Sequence, residues 1–262
     1  MLCPRCQLEQ PDGGLECVRC GIVFSRWAEL HAPGGGVYRP LSPAVTAAPE
    51  EPRGLEGWRE LLLPSDDREV EPVYFWGRAA LAAFLFLWGC RFLVSSVTDD
   101  YVARSFMHLI NLPFHEAGHV LLSPFGELMR VLGGTLGQLL IPAICLGTFL
   151  LRNRDPFGAS VGLWWLAENF MDIAPYIADA RSGSLLLLGG VTGRDVPGYH
   201  DWENVLGTLN LLRYDTAFGD LSYAFGRLLM LAAFAWGGWA LVQQWRHVSA
   251  NGITAGFERK NR

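Results

Sequence analysis

Residues 131–151 read VLGGTLGQLLIPAICLGTFLL, 21 residues without a charge between Arg130 and Arg152. As a helix rising about 1.5 Å per residue, this stretch reaches about 30 Å, the thickness of a bilayer's hydrocarbon core. Residues 228–245 form a second charge-free stretch of 18, between Arg227 and Arg246. Residues 73–96 are nearly as apolar, but Arg78 and Arg91 interrupt them, so a span there requires both side chains to snorkel toward the interfaces. Three candidate spans make a helical membrane protein the leading class.

The whole chain agrees with that class. Half of its 262 residues are hydrophobic, 18% are charged and ten are Trp, which is too apolar for a disordered chain. The formal net charge of −5 offers no basic excess for neutralising phosphates, so no nucleic-acid partner is expected. The first twenty residues hold two Cys pairs and no apolar core of a signal peptide, so the amino terminus is expected to stay in the cytoplasm. Residues 32–52 are rich in Pro, Gly and Ala, the composition of a flexible linker.

Two further segments carry polar groups inside apolar sequence. Residues 101–122 contain Arg104, His108, Asn111, His115, Glu116 and His119, and residues 157–178 contain Glu168, Asn169 and Asp172. Ionisable groups are costly in lipid, so helices here must turn these residues toward a protein interior or a wet cavity. An amphipathic, interfacial pair of helices is the alternative. The expected architecture is all-α: a polytopic helical membrane bundle with a small N-terminal zinc ribbon. The ribbon covers 1–30, a flexible Pro/Gly/Ala-rich linker 31–72, the membrane domain 73–247 and a C-terminal tail 248–262.

At the amino end, Cys3-Pro-Arg-Cys6 and Cys17-Val-Arg-Cys20 are two C-x2-C turns ten residues apart, with Gly21 after the second. Four thiolates presented by two such turns suit one tetrahedral Zn²⁺, and a module this small needs a metal in place of a core. Two disulfides, or a single redox pair, are the competing readings. Cys90 and Cys145 lie in apolar spans and read as small buried hydrophobes.

His115-Glu116-Ala117-Gly118-His119 is an H-E-x-x-H motif. On a helix it stacks two imidazoles one turn apart on one face, with a carboxylate beside them. Two neutral imidazoles, a third protein ligand and an open position are what hydrolytic zinc requires, and Glu116 is placed to act as general base. A hydrogen-bonded polar patch between helices is the non-catalytic alternative.

The third ligand is open. Counting about 1.5 Å per residue from Tyr101 and from Phe157 puts His115 at about 21 Å and Asp172 at about 22 Å, so depth favours Asp172. Glu168 lies one turn before it on the same face and is a candidate supporting group. His200-Asp201-Trp202 follows a Gly-rich loop able to fold over a site, which makes His200 the second candidate ligand, with Asp201 in support or as a helix cap. Gly133-Gly134-Thr135-Leu136-Gly137 either packs tightly on another helix or admits a substrate strand.

Residues 3–27 resemble the small zinc ribbons that begin many bacterial membrane proteins. With His115-Glu116-Ala117-Gly118-His119 in a membrane helix and a later helix bearing Asn169, Asp172, Pro175 and Asp179, the chain from about 101 to 181 resembles the site-2 protease class of membrane-embedded zinc metallopeptidases. In that family the two motif His and a later Asp hold zinc while the motif Glu activates water, which implies those roles for His115, His119 and Glu116. The family's distal motif runs from Asn through prolines to Asp-Gly, whereas this chain has Asp179-Ala180, so motif position favours Asp179 where depth favours Asp172.

The expected activity is zinc-dependent hydrolysis of peptide bonds in a membrane-associated polypeptide, in a bacterial inner membrane, with the ribbon recruiting a protein partner. A non-catalytic zinc-ribbon membrane scaffold and a membrane zinc hydrolase acting on a non-peptide substrate are the two rival classes.

Overall fold

The computed structural model describes residues 1–31, 62 and 71–260. The expected linker over 31–72 falls almost entirely outside these residues. Residues 1–31 belong to one compact unit and the helices from Pro72 onward to another.

In the first unit the two cysteine turns are built alike. Each opens with an antiparallel bridge, Leu2 to Glu9 and Glu16 to Val23. In each, the first cysteine's carbonyl accepts an N–H four residues on, from Gln7 and from Gly21, both at 2.9 Å. Gln7 and Gly21 both have positive φ, the backbone state that closes the turn and that glycine adopts without strain. Helix α1 (Phe24–His31) follows.

The regular elements described in the second unit are all helices, and among the described residues the bridges are isolated and no strand forms. Its elements are α2 (Pro72–Val94), the short α3 (Asp100–Ala103), α4 (Phe106–Leu122), α5 (Glu127–Gly147), α6 (Pro156–Ala178), α7 (Asp201–Thr208) and α8 (Asp215–Lys260). Among the described residues, three stretches are long and apolar enough to cross a membrane: Pro72–Val94, Glu127–Arg152 and Leu212–Ser249. They contain the spans read at 131–151 and 228–245, and the first covers all of 73–96 except its last two residues. Helix α8 continues through the segment expected to be a tail.

Helix α6 is the axis of the bundle. It starts at Pro156, whose missing N–H is an orphan there in any case, and Asp155 caps it by accepting the Phe157 and Gly158 N–H groups at 3.1 Å. Glu168, Asn169 and Asp172 are all buried, as interior placement of polar residues requires. Around α6, Phe92 of α2, Met107 of α4 and Tyr223 and Met230 of α8 join Trp164, Ala167 and Met171 in one core. Outward-facing residues such as Leu87, Leu140 and Leu228 remain exposed, an apolar rim suited to lipid.

Lipid does not drive apolar helices together as water does, so close packing and polar contacts must hold the bundle. The α4–α5 pair shows this most clearly. A Cβ on Gly118 would stand 2.0 Å from the Gly133 carbonyl oxygen, and one on Gly137 would stand 2.4 Å from that of Phe114. The glycine-rich stretch of α5 therefore packs on the H-E-x-x-H helix. This backbone contact fixes where the imidazoles lie relative to α5.

Candidate metal centre

Helix α4 begins at Ser105, whose hydroxyl accepts the Met107 N–H at 3.2 Å, and carries His115 and His119 on one face with ring centroids 4.8 Å apart. The Nε2 atoms of both rings lie 3.2 Å from one oxygen, Asp201 Oδ2. Asp201 opens α7, a short helix that reaches the site after the irregular segment from 182 to 199. Trp202 Nε1 donates to Thr135 Oγ1 at 3.2 Å, which docks α7 on α5.

The other ring nitrogens are committed. His115 Nδ1 lies 2.7 Å from Gln138 Oε1, and His119 Nδ1 lies 2.8 Å from the Arg130 carbonyl oxygen. Gln138 Nε2 in turn faces Asn169 Oδ1 at 3.3 Å and Asp172 Oδ2 at 3.5 Å, which fixes the direction of the amide. Both Nδ1 partners are oxygens that only accept, so each Nδ1 carries a proton and donates it. A neutral imidazole then points its Nε2 lone pair at the Asp201 carboxylate. With both rings neutral, three electron-rich atoms meet, an arrangement that calls for a positive charge at their centre.

The spacing suits zinc. Nitrogen and oxygen ligands at about 2.0–2.1 Å in a tetrahedron stand about 3.3 Å apart, close to the 3.2 Å found here. Ring nitrogens held by carbonyl acceptors on the far side are also the usual support of zinc-binding histidines. Gly134 leaves the necessary room, since a Cβ there would stand 2.3 Å from His115 Nε2. An aspartate carboxylate at this point supplies the negatively charged oxygen that a zinc ion takes beside two imidazoles.

The donors open on a cavity of about 410 Å³. Glu116, His108, Tyr176 and Asp172 line it, as do Leu112, Ile173 and Tyr199, and the leucines of 185–188 form an apolar wall. Glu116 is exposed to this space.

The other residues expected at the site are placed differently. Asp172 is buried, with Oδ1 2.9 Å from His108 Nδ1 and Oδ2 accepting from Asn111 Nδ2 at 3.0 Å. It reaches the donor group only through Gln138. The depth count brought Asp172 level with His115 because it assumed that both helices enter from the same side, whereas the contacts run in opposite order along them, His108 with Asp172, Asn111 with Glu168 and Phe114 with Trp165. Helix α4 begins at Phe106, and its His108 and Asn111 are what stand opposite Asp172. Glu168 accepts from the same Asn111 Nδ2 at 2.9 Å, so it belongs to that buried network.

His200 is fully buried and outside the donor group. Its Nδ1 accepts the Glu203 N–H at 3.2 Å and caps α7, and burial holds the ring below the ordinary imidazole range, which keeps Nδ1 free to accept. Asp179 closes α6 and ties down the following turn, accepting from the Ser184 and Leu185 N–H groups at 3.0 and 2.9 Å. Sequence reasoning gave Asp201 only a supporting part and gave none to Gln138 or Tyr176. A lone amide in a charge-free span was the available signal for Gln138, since such a group needs a partner inside the bundle.

Cys3, Cys6, Cys17 and Cys20 form the second group able to hold a metal ion. Cys3 Sγ lies 3.6 Å from Cys20 Sγ, and Cys6 Sγ lies 3.6 Å from Cys17 Sγ. Four sulfurs at about 2.3 Å from a zinc ion stand about 3.8 Å apart, so the group is nearly of that size. The Cys20 backbone N–H, aimed at Cys17, leads the effects that pull its thiol down to about 6 against burial. Cys20 has the Ile22 N–H in its favour, yet burial and its hydrogen bonds with the other three sulfurs push it up to about 12.

No family model matches the chain. Neither the curated proteins nor the solved structures contain a match to it.

Proposed function

We propose that the protein is a membrane-embedded zinc metallopeptidase that hydrolyses peptide bonds of a membrane-associated polypeptide. The observation that carries this reading is the convergence of His115 Nε2, His119 Nε2 and Asp201 Oδ2 beside a cavity that Glu116 also faces. His115, His119 and Asp201 would hold the ion, which when bound supplies a Lewis acid and lowers the pKa of water to about 7. Gln138 Oε1 and the Arg130 carbonyl keep both imidazoles in the ligating tautomer. A Glu116 carboxylate oxygen takes the proton of the attacking water and returns it to the leaving amine nitrogen. The leucine wall of 185–188 receives apolar side chains and keeps bulk water from the reacting bond.

The motif's resemblance to site-2 proteases supports the same reading, with Asp201 in place of the later Asp of that class. The four-cysteine ribbon, closed to substrate by its own ligands, holds a structural zinc and serves a protein partner, on the cytoplasmic side of a bacterial inner membrane where thiols stay reduced. The test is Glu116→Gln in purified protein assayed with a panel of quenched-fluorescent apolar peptides in micelles. Retained zinc with a loss of turnover of at least about 100-fold is expected. Unchanged turnover, or a parent protein with zinc only in its ribbon, would sink the proposal.

A further inference from the structure

Asp201 lies 86 residues after His115 and arrives on an eight-residue helix behind a long irregular segment. Contacts at the site must therefore impose its position. Tyr176, in the last turn of α6, makes two of them. Its hydroxyl oxygen accepts the Asp201 backbone N–H at 2.9 Å and donates its proton to Asp201 Oδ2 at 3.3 Å. The first contact locates the main chain and the second selects the rotamer, directing the same oxygen that faces both Nε2 atoms. The ring packs against His200 at 4.2 Å and meets His115 edge-on at 6.1 Å.

From this geometry we infer that Tyr176 is the positioning residue of the metal centre, clasping Asp201 so that the third ligand is already in place when the ion binds. The inference rests on the zinc reading above. Tyr176 is not a catalytic residue, because its single proton is committed to Asp201 and no donor remains for a reacting carbonyl. It acts by preorganisation, since a carboxylate free to rotate would have to be ordered at the expense of metal affinity.

Tyr176→Phe tests this. It removes both hydrogen bonds and keeps the ring, while His200 still caps α7 and Trp202 still docks it on Thr135. Zinc affinity is measured by chelator competition in the full chain with Cys3, Cys6, Cys17 and Cys20 changed to Ser, so that only the bundle site is read. A loss of about 10- to 100-fold is expected. Combined with Asp201→Ala, Tyr176→Phe should cause no further loss, which a general loosening of the fold would not produce. Parental affinity in Tyr176→Phe, or an undiminished extra loss beside Asp201→Ala, would each overturn the inference. If the parent itself binds no zinc, the centre falls and the inference with it, whereas a zinc-binding parent with an unaffected variant removes the inference alone.

Discussion

The two candidate metal groups among the described residues are assembled in opposite ways. The ribbon draws four sulfurs from the first twenty residues, and two near-identical turns shape it locally. The bundle group draws two nitrogens from one turn of α4 and an oxygen from α7, and stands beside a cavity. Four protein ligands close a tetrahedral ion to chemistry, while three leave a position for water or substrate. The difference teaches that a small unit shaped around four sulfurs would rely on its metal to fold, whereas the bundle has an apolar core of its own beside its donor group.

That contrast can be broken most forcefully at the ribbon. Cys17→Ser should abolish zinc there and unfold residues 1–31, because in so small a module nearly the whole folding free energy, on the order of 10 kcal/mol, comes from the metal. Limited proteolysis would show the loss, and metal analysis should still find zinc in the bundle. A folded ribbon without zinc would erase the distinction.

A smaller effect is expected where α4 meets α5. Gly118→Ala sets a Cβ against the Gly133 backbone, which no side-chain rotation relieves, so the helices must part. Overpacking of this kind costs about 1–3 kcal/mol. Parting them also draws the Arg130 carbonyl away from His119 Nδ1 and Gln138 away from His115 Nδ1. The bundle's zinc affinity should fall while the ribbon's stays as it was, as metal titration would reveal.

The mildest effect depends on pH. Burial tends to raise the Asp179 carboxyl, but hydrogen bonds from Ser182, Leu185 and Ser184 more than offset it and leave it below the usual aspartate value. A depressed native pKa means that the stabilisation is complete above the unfolded value of about 3.9 and is lost as the pH falls below it. Residues 182–199 should become protease-sensitive in that acidic range, and Asp179→Asn should show part of the same sensitivity at pH 7. Equal cleavage of parent and variant at both pH values would rule this out.

The sequence was most legible where the interacting residues are neighbours along the chain. The cysteine turns, the stacked His115 and His119 and the three apolar spans each depend on a short period, so spacing alone reveals them. The polar residues of 157–178 were readable as interior for a different reason, since lipid excludes them. Asp201 was hidden because its place is set by docking: Tyr176 holds its backbone, Trp202 ties its helix to α5, and His200 caps it. None of those contacts has a sequence period. Asp172 drew attention because helix counts measure distance along an axis and say nothing of how two axes cross.

The backbone contact between Gly118 and Gly133 has a mechanical corollary. It joins α4 and α5 into one plank, and that plank bears both imidazoles and both of the oxygens that orient them. A slip of a single residue, about 1.5 Å, would throw both rings out of tune together. Such a centre works like a lock with two tumblers on one bar: it is either fully set or fully open.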